Sequence, residues 1–86
     1  MDFGDAIRAL KDPVSKRVTR SGWNGKGMYL LYVGASDWDM NPPHLDERGS
    51  ALEPAPFIAM RTASGTLVPW LASQADILAE DWQIVE

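Results

Sequence analysis

A glycine-rich turn, residues 22–28 with the sequence GWNGKGM, has the residue types best suited to binding a ligand. Glycine lets a backbone approach a ligand closely, and consecutive amide N–H groups in such a turn can form a concave anion site. Lys26 adds a positive charge for a phosphate, Asn24 can donate and accept hydrogen bonds, and the Trp23 ring offers a face for a base. The same pattern also fits a plain hairpin with Trp23 in the core, so the chemistry leaves both interpretations open.

A second candidate segment, residues 68–76 with the sequence VPWLASQAD, places polar side chains where a helix is expected to begin. Trp70 follows a rigid proline. Ser73 and Gln74 lie at the predicted helix N-terminus, where free N–H groups favour an anion or a ribose hydroxyl. Asp76 can accept hydrogen bonds from sugar hydroxyls, but it also has the spacing of the third residue of a capping box. Both roles stay open.

The groups that most enzymes use for catalysis are scarce in this chain. It has no cysteine, and its one histidine, His44, lies in a proline-containing loop. Carboxylates occur in three pairs that fit solvated loop or helix-end positions: Asp37 with Asp39, Asp46 with Glu47, and Glu80 with Asp81. No spacing typical of a zinc site, a P-loop or a serine nucleophile is present. We therefore expect a binding protein without a catalytic residue, a metal or a cofactor, and not an enzyme.

Charge is unevenly distributed along the sequence. The formal net charge is −4, which argues against generic binding of duplex nucleic acid. Residues 1–26 carry six Lys or Arg and three Asp, whereas residues 27–86 carry two Arg and nine Asp or Glu. A local basic surface on an acidic protein suits one compact anion better than a long polyanion. A solvated basic rim is the simpler alternative.

The length and composition predict one small domain over residues 1–86 with a thin core. Small domains usually gain stability from disulfides, metals or association, and without cysteine association is the expected source. No apolar run reaches the roughly 18–20 residues of a membrane span, and the N-terminus lacks a signal-peptide pattern. We expect a cytoplasmic homo-oligomer that does not bind a membrane.

Periodicity predicts the elements that would position the two candidate segments. A capping-box spacing and one apolar stripe predict a helix at residues 3–11. Strands are predicted at residues 16–20, 28–33, 57–62, 66–70 and 82–85, with a short helix after Ser73. Pro69 places its strand at an edge or ends it, and Trp82, which alternates with Ile84, is expected in the core. The fold class is α+β: a small antiparallel sheet with an N-terminal helix and a short C-terminal helix.

The segment 34–56 holds four of the six prolines and shows no sustained period. A loop of this length in a small domain is usually functional or partly disordered. Within it, Trp38, Met40 and Leu45 are apolar enough to pack on a neighbour, and they either cover a pocket, contact another subunit or fold back onto the core.

Taken in order, several of these motifs resemble one protein family. They are FGDAI at residues 3–7, the GWNGKGM turn, TASGTLVPWLASQ at residues 62–74, and Asp76 with LAEDW at residues 78–82. Together they resemble the Thoeris anti-defence type-two family of phage and prophage proteins. The match covers both ends of the chain and leaves about residues 34–56 unplaced.

The resemblance implies a molecular sponge. Members of this family sequester cyclic ADP-ribose-type signals made by Thoeris TIR proteins, without hydrolysing them, so that the downstream effector stays inactive. Members form homotetramers with ligand pockets at subunit interfaces, and some also hold the cyclic oligonucleotides of CBASS immunity in separate pockets. The chain would then act in the cytoplasm of an infected bacterial host, with no nucleic acid polymer and no membrane as a partner. The implied ligand contacts are Trp23, Asn24, Gly25, Lys26, Thr62, Thr66, Trp70, Ser73, Gln74 and Asp76.

Two other functions stay open from the residues themselves. The first is a hydrolase that degrades such nucleotides with a carboxylate such as Asp76. The second is a protein-interaction module that blocks a defence protein directly through the acidic portion of the chain, residues 27–86.

Overall fold

A five-stranded antiparallel sheet carries both helices on one face in the computed structural model, which describes residues 1–85. The elements are α1 at Phe3–Leu10, β1 at Arg17–Arg20, β2 at Tyr29–Val33, β3 at Phe57–Arg61, β4 at Leu67–Pro69, α2 at Gln74–Leu78 and β5 at Trp82–Val85. The strand order is β4-β3-β2-β1-β5, and every neighbouring pair is antiparallel. The predicted α+β class and the order of its elements are confirmed.

Helix α1 begins at the predicted capping box. The Asp2 carboxylate accepts a hydrogen bond from the Asp5 amide at 2.8 Å, and the Asp5 carboxylate accepts one from the Asp2 amide at 3.1 Å. These two bonds satisfy amide groups that the first helical turn leaves unpaired. Pro13 follows shortly after the helix ends, as the sequence predicts.

The core lies between α1 and the middle of the sheet. Ala6 and Leu10 of α1 are buried against Val18, Leu30 and Trp82, which lie on the same face of three adjacent strands. Burying a large apolar side chain contributes about 1.5–3 kcal/mol. The prediction that Trp82 belongs to the core is confirmed, because only 2% of it is exposed.

The β3–β4 hairpin closes at one end of the sheet. The Thr62 amide donates to the Thr66 carbonyl at 2.8 Å, and Gly65 adopts a φ of +91°, a conformation that glycine reaches without strain. Strand β4 is at an edge of the sheet and ends at Pro69, as the missing backbone N–H of proline requires.

The segment 34–56 adds no strand to the sheet. It contains a short 3-10 turn, Ala35–Asp37, and one isolated bridge between Leu45 and Ala51. The protein has a radius of gyration of 15.0 Å, against about 12 Å for a compact domain of this length. Since Leu45 and Leu52 are 60% and 51% exposed, we attribute the elongation to this segment.

Trp38, also in this segment, folds back against the sheet. Its ring meets Phe57 edge to face, with 5.6 Å between the centroids, and its Nε1 donates to the Ala55 carbonyl at 2.8 Å. No helix among residues 1–85 is both long enough and apolar enough to cross a membrane.

Candidate functional site

Four aromatic side chains form a cluster beside the N-terminus of α2. The Trp23 and Trp82 rings are 5.4 Å apart at 81°, the Trp70 and Trp82 rings 6.2 Å apart at 85°, and the Trp23 and Trp70 rings 6.5 Å apart at 60°. Phe3 packs against Trp70 and Trp82. Such edge-to-face contacts are the arrangement that aromatic rings prefer. Trp82 is buried, whereas Trp23 and Trp70 are partly exposed, so the cluster offers two rings at the surface above a fixed base.

The Asp76 carboxylate connects this cluster to β1 and α2. Its Oδ1 accepts hydrogen bonds from Arg20 Nη1 at 2.8 Å and from Trp23 Nε1 at 3.1 Å. Its Oδ2 accepts from the Ser73 hydroxyl at 2.8 Å and from the Ser73 amide at 3.3 Å. The Asp76 carbonyl also accepts from Trp82 Nε1 at 3.0 Å. Asp76 therefore completes the predicted capping box of α2 and holds two indole N–H groups.

Arg20 joins Asp76 to a second carboxylate. Its Nε donates to Asp81 Oδ1 at 2.8 Å, while the other oxygen of Asp81 accepts from the Gly22 amide at 2.8 Å and the Ser21 hydroxyl at 3.3 Å. One guanidinium thus binds two carboxylates through different nitrogens, which its forked geometry allows. This network ties the end of β1 to α2 and to the residue that precedes β5.

The network keeps both carboxylates ionised. Burial raises the pKa of Asp76, but hydrogen bonds from Arg20, Trp23 and Ser73 outweigh burial, and the pKa lies below its usual value. The hydrogen bond from Arg20 is the main cause that lowers the pKa of Asp81. The same two carboxylates, Asp81 before Asp76, raise the pKa of Arg20. The centre of the network is therefore a cation shared by two anions at neutral pH.

The glycine-rich turn follows this network along the chain. The backbone amides of Asn24, Gly25 and Lys26 donate to no acceptor within residues 1–85. Gly25 lies close to the β3–β4 turn, because a Cβ at this position would be 2.9 Å from the Ala63 Cβ and would also meet Met28. The turn therefore has free N–H donors and needs glycine at its contact with the β3–β4 turn.

The β3–β4 turn contains two further predicted contacts, Thr62 and Thr66. Their hydroxyls are 2.6 Å apart, and the Thr66 amide donates to the Thr62 hydroxyl at 3.1 Å. Arg61 links this turn to the glycine-rich turn by donating to the Gly27 carbonyl at 2.8 Å. The two turns are neighbours, and contact of either threonine with a ligand stays a prediction.

The predicted site residues thus fall into three adjacent places. Trp23, Trp70, Ser73 and Asp76 meet at the aromatic cluster. Asn24, Gly25 and Lys26 lie in the glycine-rich turn, and Thr62 and Thr66 in the β3–β4 turn. Gln74 is the exposed first residue of α2.

Sequence reasoning missed Arg20 as part of this site. Val18 and Arg20 are two residues apart on a strand, so a buried Val18 places Arg20 on the same face of the sheet. A charged side chain on a covered face needs a partner of opposite charge. The alternation of buried and exposed residues along β1 was therefore the available signal, and it predicts a carboxylate partner for Arg20.

An open apolar hollow of about 470 Å³ lies beside Trp70. It is lined by Trp38, Ala55, Pro56, Phe57, Ile58, Pro69 and Trp70. Its volume falls in the range of roughly 300–1,000 Å³ that is usual for small-molecule sites. Trp38 both folds back on Phe57 and lines this hollow, so it combines two of its alternatives. In the described part of the chain, no group of three or more His, Cys, Asp or Glu could hold a metal ion.

Comparison with known proteins places the chain in a family. The Thoeris anti-defense 2-like domain matches residues 1–85. The chain belongs to this Thoeris anti-defense 2-like family. A protein of Bacillus phage SP01 named Thoeris anti-defense 2 is 38% identical to it over 92 residues, which cover 99% of this chain and 94% of that protein. The predicted family is confirmed, and the Thoeris anti-defense 2-like match also covers the segment 34–56. Membership in an anti-defence family fits a non-enzymatic role.

Proposed function

We propose that this protein counters Thoeris defence in the cytoplasm of an infected bacterium by binding a cyclic ADP-ribose-type signal and holding it intact. Family membership and the name of the phage SP01 relative support the anti-Thoeris part of the proposal. One observation supports a nucleotide as the ligand. Two partly exposed tryptophans, Trp23 and Trp70, lie at the glycine-rich turn, which has free amide donors.

Each part of such a nucleotide has a suitable partner at this site. An adenine base can stack on a tryptophan face, and such stacking contributes about 1–3 kcal/mol. The free amides of Asn24, Gly25 and Lys26, together with the Lys26 ammonium, suit the phosphates. The exposed Gln74 side chain has both a donor and acceptors for ribose hydroxyls.

The carboxylates at the site are unsuited to act as a general acid. A carboxyl group that acts as a general acid at neutral pH needs a raised pKa, whereas the pKa values of Asp76 and Asp81 are lowered. Both carboxylates are already engaged by Arg20. His44 is exposed within the segment 34–56, away from the aromatic cluster in the sequence. This chemistry supports sequestration of an intact ligand.

We further propose that the protein works as a homo-oligomer, a tetramer by analogy with its family. A sponge must compete with a receptor, which calls for a roughly nanomolar Kd, about −12 kcal/mol. The site on one subunit is open to solvent. The sheet face opposite α1 is partly exposed and includes the apolar residues Leu31 and Val33. Beside them, Arg17 lies over the Tyr29 ring and Trp38 packs on Phe57. A second subunit can pack on this face. Association through this surface would bury apolar area that a small domain with a thin core leaves exposed.

The test uses purified wild-type protein and a cyclic ADP-ribose isomer. Calorimetry measures binding, and mass spectrometry of the supernatant after heat denaturation shows whether the ligand is released intact. Tight binding with intact release supports the sponge, whereas a cleaved product would establish a hydrolase. Absence of binding together with a co-purifying defence protein would establish a protein-interaction module. A cyclic trinucleotide serves as a second probe, for the CBASS class of ligand.

A further inference from the structure

The acceptor sites of the Asp76 carboxylate are fully used within the protein. An ionised carboxylate offers about four lone-pair sites. In Asp76 these sites accept from Arg20 Nη1, Trp23 Nε1, the Ser73 hydroxyl and the Ser73 amide, at distances from 2.8 to 3.3 Å. The side chain is also largely buried, with 12% exposed. Asp76 thus has little capacity to accept hydrogen bonds from a ribose.

We propose that Asp76 is a positioning residue, which fixes the angle of the Trp23 ring in the ligand site and does not contact the ligand itself. This proposal rests on the proposed function, because the site it serves is the nucleotide site. Its basis is the hydrogen bond that joins the Trp23 indole to a carboxylate held from two other directions, by Arg20 of β1 and by Ser73 at the start of α2.

A fixed ring binds a base better than a mobile one. Trp23 is partly exposed, with Trp70 and Trp82 on two sides, and the Asp76 carboxylate is the hydrogen-bond partner of its indole N–H. The bond to Asp76 fixes the N–H edge of the indole and therefore the direction of the remaining face. A side chain that is ordered before binding loses less conformational freedom when the ligand arrives.

The chain contains a matched control for this role. Asp81 shares Arg20 with Asp76, at the same distance of 2.8 Å. The other partners of Asp81 are the Gly22 amide and the Ser21 hydroxyl, and within residues 1–85 it accepts no hydrogen bond from an indole. Asp76→Ala and Asp81→Ala therefore both remove a carboxylate from Arg20, but only Asp76→Ala frees the Trp23 ring.

The experiment measures the near-ultraviolet circular dichroism of the unliganded variants and their Kd for a cyclic ADP-ribose isomer, well below the unfolding temperature. The Trp23 and Trp82 rings are close and nearly perpendicular, so the spectrum reports their relative angle. We expect Asp76→Ala to change the tryptophan bands and to raise Kd about tenfold, equivalent to about 1.4 kcal/mol. Asp81→Ala frees the Gly22 amide of the glycine-rich turn but no indole, so it should leave the tryptophan bands as in wild type and raise Kd clearly less than Asp76→Ala does.

A double-mutant cycle tests whether Asp76 acts through Trp23. Trp23→Phe removes the indole N–H but keeps an aromatic ring. In the Trp23→Phe background, Asp76→Ala should raise Kd no further, because the bond that it breaks is already absent. A full additional loss of affinity in that background would overturn the proposal, because Asp76 would then affect the ligand other than through Trp23.

Two further outcomes separate this proposal from the proposed function. If the wild type does not bind the cyclic nucleotide, the proposed function fails, while the spectra of the unliganded variants still test the positioning of Trp23. If Asp76→Ala does not fold, Asp76→Leu replaces it, because a leucine is of similar size and offers no acceptor to the Trp23 indole. Tryptophan bands identical to those of wild type in the folded variant would overturn the proposal.

Discussion

The two capping boxes of this protein have the same local geometry and different surroundings. In α1 the Asp2 carboxylate and the Asp5 amide are joined at 2.8 Å, and in α2 the Ser73 hydroxyl and the Asp76 amide are joined at 3.1 Å. The side chain of Asp5 is 44% exposed, whereas that of Asp76 is 12% exposed. The same motif therefore caps the exposed start of α1 in one place and forms the centre of a part-buried network in the other.

The cations that pair with these two carboxylates differ in the same way. Arg8 binds Asp5 one helical turn away on the surface of α1. Arg20 binds Asp76 from a strand and binds Asp81 as well. Surface ion pairs contribute about 0–1 kcal/mol, whereas removing one partner of a buried pair leaves an uncompensated charge. We conclude that position in the fold, and not the motif, determines what each carboxylate does.

The largest expected effect is that of Asp76→Ala on stability. It leaves the Arg20 and Trp23 donors without this acceptor in a part-buried place, so the free energy of unfolding should fall by about 2–3 kcal/mol. Urea denaturation followed by fluorescence measures the change. Asp5→Ala is the matched control and should destabilise the protein clearly less. Equal losses in the two variants would show that Asp76 is only a helix cap.

The next effect is that of replacing the cation. Arg20→Lys keeps the charge but lacks the fork that reaches two carboxylates, so we expect the Tm to fall by about 5 °C. Differential scanning calorimetry provides the measurement, with Arg8→Lys as the control on the surface of α1. A Tm unchanged in Arg20→Lys would mean that a point charge suffices and that the two-carboxylate geometry is unimportant.

The capping boxes also show which parts of the fold can be predicted from sequence. Both were predicted because the donor and the acceptor are three residues apart, and the helices and strands follow from equally local periodicity. The partners of Asp76 could not be predicted in that way. Arg20 and Trp23 are 56 and 53 residues away in the chain, and they reach Asp76 only because β1, β5 and α2 meet at one end of the sheet.

The candidate site, like the fold, could be predicted only where the signal is local in the sequence. The residue types in the glycine-rich turn and at the start of α2 predicted that these two segments carry the chemistry, and the structure places Trp23, Trp70 and Asp76 together. A pocket covered by Trp38 was one of three alternatives, but its position beside Trp70 could not be predicted. Trp38 comes from a segment with no periodicity and meets Phe57 only in the folded chain.

A smaller effect is expected from acid. The folded-state pKa values of Asp76 and Asp81 are lowered, chiefly through hydrogen bonds from Arg20, so both carboxylates bind protons less readily in the folded than in the unfolded state. Their contribution to stability is therefore fully present above the unfolded pKa of about 3.9 and is lost as pH falls through the folded values. Unfolding free energy should be flat between about pH 5 and 7 and should fall below about pH 4. In Asp76→Ala the fall should be shallower, and an unchanged slope would contradict the assignment.

The smallest expected effect comes from the surface pair of α1. The Arg8 side chain is 73% exposed, so its bond to Asp5 is screened by solvent and salt. Arg8→Ala should change the Tm by less than about 2 °C, and 1 M NaCl should abolish even that difference. The hydrogen bond from Arg8 is the main cause that lowers the pKa of Asp5, so the variant should also let that carboxyl titrate closer to its usual value. A shift in Tm as large as that of Arg20→Lys would remove the distinction between the two capping boxes, because position in the fold would then no longer explain their difference.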